Sequence, residues 1–220
     1  MIWRNTNALR TTASVFGAYA GLLGMEHGYF EARHGNVATP GTRILAVAPP
    51  GLPFPFGHEP AMTLVHNFLV TGILAMVFGL FIVIWAVCFV HRRYGAAALF
   101  LLSIILLLVG GGFGPMSLLI TAFIAAAWIG NPLGWWRAHL PANFRRMLAV
   151  LWSWFFLAAL FWVPIEFALG YILGLKNDPN RSLTNLNLIL SYPLLLFFLL
   201  TLVTSFAREA GRQVALNPTT

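Results

Sequence analysis

Three ionisable side chains follow one another at helical spacing near the start of this 220-residue chain. His27, Glu31 and His34 are spaced i, i+4 and i+7, which places all three on one face of a helix that runs that far. Two imidazoles and one carboxylate suit Zn, Fe or Mn, and residues 58, 59 and 66 offer further donors. The pattern therefore indicates either a divalent-metal site or polar residues solvated by lipid headgroups and water.

A second group of polar residues lies within or beside apolar segments. It comprises Glu26, His27, His66, Asn67 and Glu166. An ionisable group at membrane depth costs about 2.5–3.5 kcal/mol on insertion scales, so it is normally paired or functional. Glu166 follows a helix-kinking proline, and a buried carboxylate beside a kink and within reach of a histidine would bind a proton or a cation. The alternatives are one hydrogen bond that fixes helix packing, or haem held between His27 and His66.

A run of glycines forms the third candidate feature, and it consists of Gly110, Gly111, Gly112, Gly114 and Pro115. Glycine and proline end helices, so the run predicts a break inside an apolar stretch. Non-helical backbone at membrane depth is tolerated only where protein or water satisfies its hydrogen bonds. The run therefore predicts either the floor of a binding cavity, as at the helix breaks of transporters, or a tight outer turn.

Composition determines which elements carry these residues. Hydrophobic residues make up 59% of the chain and charged residues only 9%, whereas a soluble domain carries about 25% charged residues. The chain is too apolar to be soluble or disordered, so we predict an all-α, multi-pass transmembrane bundle. Cys88 is the sole cysteine, which excludes an intrachain disulfide and a CxxC metal site. The net charge of +7 comes from short basic clusters between apolar runs, which favours the lipid bilayer as partner and excludes nucleic acid.

About six membrane segments are predicted within a single domain, residues 1–220. The first is an uncleaved helix, because its apolar run continues into Glu26 and His27 without a signal-peptidase site. Residues 96–130 would form a helix of about 52 Å, too long for one crossing, so the glycine run divides them into two crossings or a re-entrant pair. Residues 32–60 contain six prolines and form a Pro/Gly-rich outer loop. The segments are 13–30, 61–90, the two halves of 96–130, 147–175 and 185–207.

The basic residues orient this bundle. With six crossings, nine of the thirteen Lys and Arg residues lie on the side of both termini and four on the other side. A single crossing over residues 96–130 would give six against seven and leave no bias. The positive-inside rule therefore predicts cytoplasmic N- and C-termini. Five of the six acids and four of the six histidines then fall in the outer half.

Two GxxxG pairs occupy the first segment, Gly17 with Gly21 and Gly24 with Gly28. Small residues at this spacing let another helix approach closely. The pairs predict contact with a second copy of the chain or with a partner in a membrane complex, and the spacing does not identify which.

Several short phrases resemble a group of small bacterial multi-pass membrane proteins of unassigned function. They are GNV at 35–37, GHEPAMT at 57–63, LVTGIL at 69–74 and GGGFGP at 110–115. The resemblance covers residues 20–130. It implies a bacterial inner-membrane protein of the predicted fold, and it implies no activity, ligand or cofactor.

Three functions follow from these features. The first, which we favour, is binding or transport of a small ligand or ion in an outward-facing polar pocket lined by Glu26, His27, His66 and Glu166. The second is a non-catalytic subunit of a membrane complex. The third is a membrane-embedded metal enzyme in which the histidines and the acid of the first segment activate water, although no catalytic signature accompanies them. We therefore favour a protein without catalytic activity and leave the enzyme interpretation open, with a divalent metal or haem as the cofactor alternatives.

Overall fold

The computed structural model describes residues 7–46, 59–172 and 185–216. In chain order these residues form α1 (Ala8–Ala32), β1 (Arg43–Ala46), β2 (Glu59–Met62), α2 (Phe68–Cys88), α3 (Gly95–Leu108), α4 (Gly114–Ala127), α5 (Gly134–His139), α6 (Ala142–Ile172) and α7 (Asn185–Leu216). The two short strands pair antiparallel, with Ile44 opposite Ala61. The predicted helical architecture is confirmed, and a two-stranded sheet is added to it.

Among the described residues, three helical stretches are long and apolar enough to cross a membrane: Phe68–Cys88, Ala142–Glu166 and Tyr192–Ala215. Helices α3 and α4 are apolar but have only 14 residues each. That length corresponds to about 21 Å, less than the ~30 Å hydrocarbon core, so neither helix crosses it alone. These lengths are those of a helical, membrane-embedded protein.

The central helix of the bundle is α1, which packs along α2 and also against α4 and α7. Glycines form its closest approach to α2. A Cβ added at Gly21 would lie 2.6 Å from the carbonyl oxygen of Gly79, and one added at Gly28 would lie 2.5 Å from that of Gly72. Any side chain at these positions would push the two helices apart, so small residues determine their spacing.

The GxxxG pairs are therefore used inside the chain. All four glycines are buried, and a Cβ at Gly17 or Gly24 would lie 2.7 Å from Ala86 on α2 or from Leu106 on α3, respectively. These positions offer no free face to another subunit. The expected oligomer or complex partner stays a prediction that another surface would have to support.

Aromatic side chains fill the core between α1, α6 and α7. The ring of Phe16 stacks on that of Phe156 at a centroid distance of 5.5 Å. Nε1 of the fully buried Trp152 donates a hydrogen bond to Oγ1 of Thr12 at 3.2 Å. The single polar atom of this large side chain is thus satisfied where burial would otherwise make it costly.

The apolar stretch 96–130 is broken where its glycines predicted. Helix α3 ends at Leu108 and α4 begins at Gly114. Gly110 and Gly112 have φ angles of +93° and +76°, in the left-handed region that favours glycine. Pro115 lies in the first turn of α4, where its missing N–H costs no helical hydrogen bond.

The predicted start of the second membrane segment at residue 61 is wrong. Helix α2 begins at Phe68, since Asn67 caps it and Oδ1 of Asn67 accepts a hydrogen bond from the backbone N–H of Val70 at 3.1 Å. Residues 59–62 pair with β1 instead. His66 and Asn67, which the predicted boundary would place one turn inside the segment, therefore precede the helix.

Other boundaries also differ from prediction. Helix α6 begins at Ala142 rather than at residue 147, and α7 continues to Leu216 rather than ending at 207. The extension of α7 is stabilised by Glu209 and Arg212, whose side chains bond at 2.6 Å across one helical turn. Charged residues end the apolar segment here without ending the helix. The short helix α5 lies in the connection between the predicted segments 96–130 and 147–175.

Both described termini lie at one end of the bundle. Nδ2 of Asn7, before α1, donates to Oε1 of Glu209 near the end of α7 at 3.4 Å. Hydrogen bonds between α7 and residues 131–133 bring the α4–α6 connection to the same end. The α2–α3 loop lies at the same end, because its His91 is near Arg10 of α1. Partial desolvation and the guanidinium groups of Arg10 and Arg92 lower the pKa of this histidine. We call this the Arg-rich end, and the opposite end, which carries β1 and β2, the sheet end.

Candidate functional site

Two titratable side chains lie one turn apart on α1 at the sheet end. His27 and Glu31 share a face of the helix at i, i+4 spacing, and both side chains are buried. Gly28, which follows His27, points to α2 instead. The backbone of α1 is thus held against one helix while its histidine and acid face another part of the chain.

That other part is the loop of residues 109–113, which closes over both side chains. A Cβ added at Gly110 would lie 2.7 Å from Oε1 of Glu31, and one added at Gly112 would lie 2.8 Å from Cε1 of His27. Both glycines also have positive φ. Glycine is therefore required twice, for the backbone conformation and for the space that the imidazole and the carboxyl group occupy.

Hydrogen bonds that this loop donates to the neighbouring strand hold it in place. The N–H of Gly110 donates to the carbonyl oxygen of Met62 at 2.9 Å, and the N–H of Phe113 donates to that of Pro60 at 3.2 Å. These bonds satisfy backbone groups that no helix serves, which is the condition for irregular backbone at membrane depth. Strand β2 therefore holds the 109–113 loop in a defined position over His27 and Glu31.

Two threonines connect the 109–113 loop to α2 through hydrogen bonds. Oγ1 of Thr71 donates to the carbonyl oxygen of Val109 at 2.8 Å, and Oγ1 of Thr63 lies 2.6 Å from Oγ1 of Thr71. Both side chains are fully buried. Neither threonine was predicted as a site residue, because an isolated threonine in an apolar run gives no signal of its long-range partner.

The carboxyl group of Glu31 is fully buried, with 0% of the residue exposed, and neither oxygen has a hydrogen-bond partner among the described residues. The N–H groups of Gly110 and Gly111 in the adjacent loop donate to Met62 and Leu106, not to this carboxyl group. An isolated ionised carboxylate in such surroundings costs far more than a neutral one, on the order of tens of kcal/mol in the Born limit. Chemically, this site is suited to a carboxyl group that holds a proton or a bound cation.

The two other predicted acids differ in their surroundings. Glu26 is half-buried on α1. Glu166 is buried on α6, a helix that packs mainly against α7 and only slightly against α1. Of the residues predicted to line a pocket, His27 is the one that the structure places beside Glu31 and the glycine loop. The roles of Glu26 and Glu166 stay predictions.

His66 and Asn67 belong to the connection before α2. His66 is exposed. Asn67 caps α2, and its Nδ2 donates to Oδ1 of Asn36 at 2.6 Å. The haem alternative pairs the buried His27 with this exposed histidine outside any helix, and it stays an untested prediction.

The three residues of the predicted metal site, His27, Glu31 and His34, lie in two different environments. Helix α1 ends at Ala32, so His34 lies in the following turn, where it is exposed and its ring packs on Phe68 at 4.7 Å between centroids. Within residues 7–46, 59–172 and 185–216, no three His, Cys, Asp or Glu side chains are grouped to hold a metal ion. His58, a further predicted donor, lies outside the described residues.

Comparison with known proteins adds no relative. No family model matches this chain, and neither a curated protein nor a solved structure does. Function must therefore be inferred from the chemistry of Glu31, His27 and the loop that covers them.

Proposed function

We propose that this chain is a multi-pass protein of a bacterial inner membrane that binds a proton or another small cation at Glu31 and releases it again during transport. In this proposal the bundle makes six membrane segments, with α3 and α4 as the short pair, and the Arg-rich end is cytoplasmic. The observation that carries the proposal is the complete burial of Glu31, without a described hydrogen-bond partner, beneath the 109–113 loop.

The charge of the site supports a cation rather than an anion. Among the described residues, Glu31 is the acidic side chain that lies against the loop glycines, and the amides of Gly110 and Gly111 are already bonded to carbonyl groups. An anionic ligand would therefore meet a carboxyl group and no free donor from these two amides. A proton or a cation would instead remove the cost of burying the carboxylate.

His27 gives the site a second titratable group. Its imidazole lies one helical turn from Glu31 and under the same loop, against Gly112. A proton leaving the carboxyl group would thus have an acceptor on the same helix face. In the described conformation the loop covers both groups, so exchange with solvent would need the loop to move.

Carbodiimide labelling tests the binding part of the proposal. A hydrophobic carbodiimide reacts with a protonated carboxyl group in an apolar site and leaves an adduct that peptide mass spectrometry can locate. We expect labelling of Glu31 in the purified full chain, a decrease as the pH rises, and no adduct at this position in Glu31→Gln. Glu26→Gln is the matched control, since it removes the other acid of α1 and should leave the adduct on Glu31. Protection by Na⁺ or another ion at constant pH would identify a cation other than the proton.

Flux measurements test the transport part. In liposomes that contain a pH-sensitive dye, a potassium diffusion potential should drive proton uptake through the wild-type protein and through Glu26→Gln. Glu31→Gln should abolish this uptake while its thermal unfolding stays close to that of the wild type, because glutamine keeps the shape of the side chain. Uptake that survives Glu31→Gln, or Glu31 that resists labelling at every pH, would show that the proposal is wrong.

A further inference from the structure

The connection between α4 and α6 carries a second surface whose chemistry the Glu31 site does not involve. We define the Trp–Arg segment as residues 134–147, which include Arg137, Arg145 and Arg146 and contain no Asp or Glu. It lies at the Arg-rich end and comprises α5 and the first turns of α6. The segment therefore carries three positive charges and no acid.

Large apolar side chains are exposed beside these charges. Trp135 is 61% exposed and Phe144 is 45% exposed. The ring of Trp135 also stacks on that of His139 at a centroid distance of 4.9 Å and meets the ring of Trp136 edge-on at 5.7 Å. Exposed tryptophan next to arginine is typical of a segment that lies where lipid headgroups meet acyl chains.

The three arginines are not neutralised within the described part of the chain. None of them makes an ion pair or a side-chain hydrogen bond there. Two arginines at the same end behave differently: Arg212 binds Glu209 at 2.6 Å, and Arg208 packs over the ring of Trp152 at 4.7 Å. The side chains of Arg208 and Arg212 thus make contacts within the bundle. The guanidinium groups of the Trp–Arg segment remain available to bind an anion.

We infer that the Trp–Arg segment binds the headgroup of an anionic phospholipid in the adjacent leaflet. A guanidinium group matches the geometry of a phosphate through two parallel hydrogen bonds. The exposed rings of Trp135 and Phe144 would enter the interface beside it. Charge complementarity selects an anionic lipid over a zwitterionic one, because the segment has no acid to bind a choline group. This inference does not depend on the proposed role of Glu31.

Lipid titration of the full chain in detergent tests the inference. Phosphatidylglycerol and phosphatidylcholine would be added separately and bound lipid counted by native mass spectrometry. Each arginine near an anionic surface contributes about 5-fold in affinity, so Arg145→Gln with Arg146→Gln should weaken phosphatidylglycerol binding about 30-fold. The matched control is Arg33→Gln with Arg43→Gln, which removes the same charge from the sheet end and should leave the affinity within about 2-fold.

Each outcome has a defined meaning. Selective loss in the Arg145 and Arg146 double variant, with unchanged thermal unfolding in phosphatidylcholine, supports the inference. Equal binding of both lipids, or equal loss in both double variants, overturns it, since binding would then be non-specific. Competition by soluble glycerol 3-phosphate as strong as that by the lipid also overturns it, because the occupant would then be a free phosphate compound.

Discussion

Replacing Gly110 with alanine should destabilise the protein and displace the Glu31 side chain. Alanine in the left-handed region costs roughly 1–2 kcal/mol, and Gly110 has a φ of +93°. The new methyl group would also lie 2.7 Å from Oε1 of Glu31, and overpacking of this kind adds about 1–3 kcal/mol. The free energy of unfolding should therefore fall by about 2–5 kcal/mol in total.

Two further glycine-to-alanine variants separate these costs. Gly35 has a φ of +82° but a Cβ there would meet nothing within 4 Å, so Gly35→Ala should cost only the conformational part, about 1–2 kcal/mol. Gly211 lies inside α7 with open space around it, so Gly211→Ala should gain up to about 1 kcal/mol from helix propensity. Thermal unfolding of the three purified variants in one detergent gives the ranking.

Equal unfolding temperatures for Gly110→Ala and Gly35→Ala would refute the reasoning, since the steric cost against Glu31 would then be absent. A second measurement keeps the prediction testable if Gly110→Ala folds poorly. Carbodiimide labelling of the folded fraction should differ from wild type in its pH dependence, because the carboxyl group has moved. An unchanged labelling profile would mean that the loop does not cover Glu31.

Three other substitutions test the elements around the site. Thr71→Val should lower the free energy of unfolding by about 1–3 kcal/mol, because it leaves the buried carbonyl of Val109 without its donor; an unchanged unfolding temperature would contradict the bond. Gly72→Ala places a methyl group against the backbone of Gly28 and should cost about 1–3 kcal/mol, seen as a lower unfolding temperature and a smaller monodisperse fraction in size-exclusion chromatography. Asn67→Ala removes the cap of α2 and should cost about 0.5–2 kcal/mol in the same thermal assay. A loss of less than a few tenths would show that the cap is dispensable.

Much of the helical architecture could be predicted because it depends on local signals. Apolar runs longer than a membrane crossing predict α2, α6 and α7, and the glycines at 110–112 predict the break between α3 and α4. The shared face of His27 and Glu31 follows from helical periodicity alone. These features can be predicted without knowing which segments, distant in sequence, pack together.

The remainder depends on distant contacts that periodicity does not encode. Residues 61 and 62 are apolar and look like the start of a helix, yet they pair with β1 and with the 109–113 loop. The pairing of Glu166 with a histidine stays a prediction, and no signal in the sequence indicates that Glu31 lies against Gly110. Both acids lie in apolar surroundings in the sequence, and only the packing of α1 against the loop distinguishes them.

The position of α1 has a consequence for how this protein is made. It is synthesised before α2 and α4 and occupies the centre of the bundle, yet it is not among the described helices that are apolar enough to cross a membrane by themselves. Its glycines, threonines and two buried titratable groups are favourable only after α2 and α4 surround them. We therefore expect stable insertion of α1 to wait for α2, whose own sequence enters the bilayer readily. The polar site would then be assembled only when the 109–113 loop has emerged and closed over it.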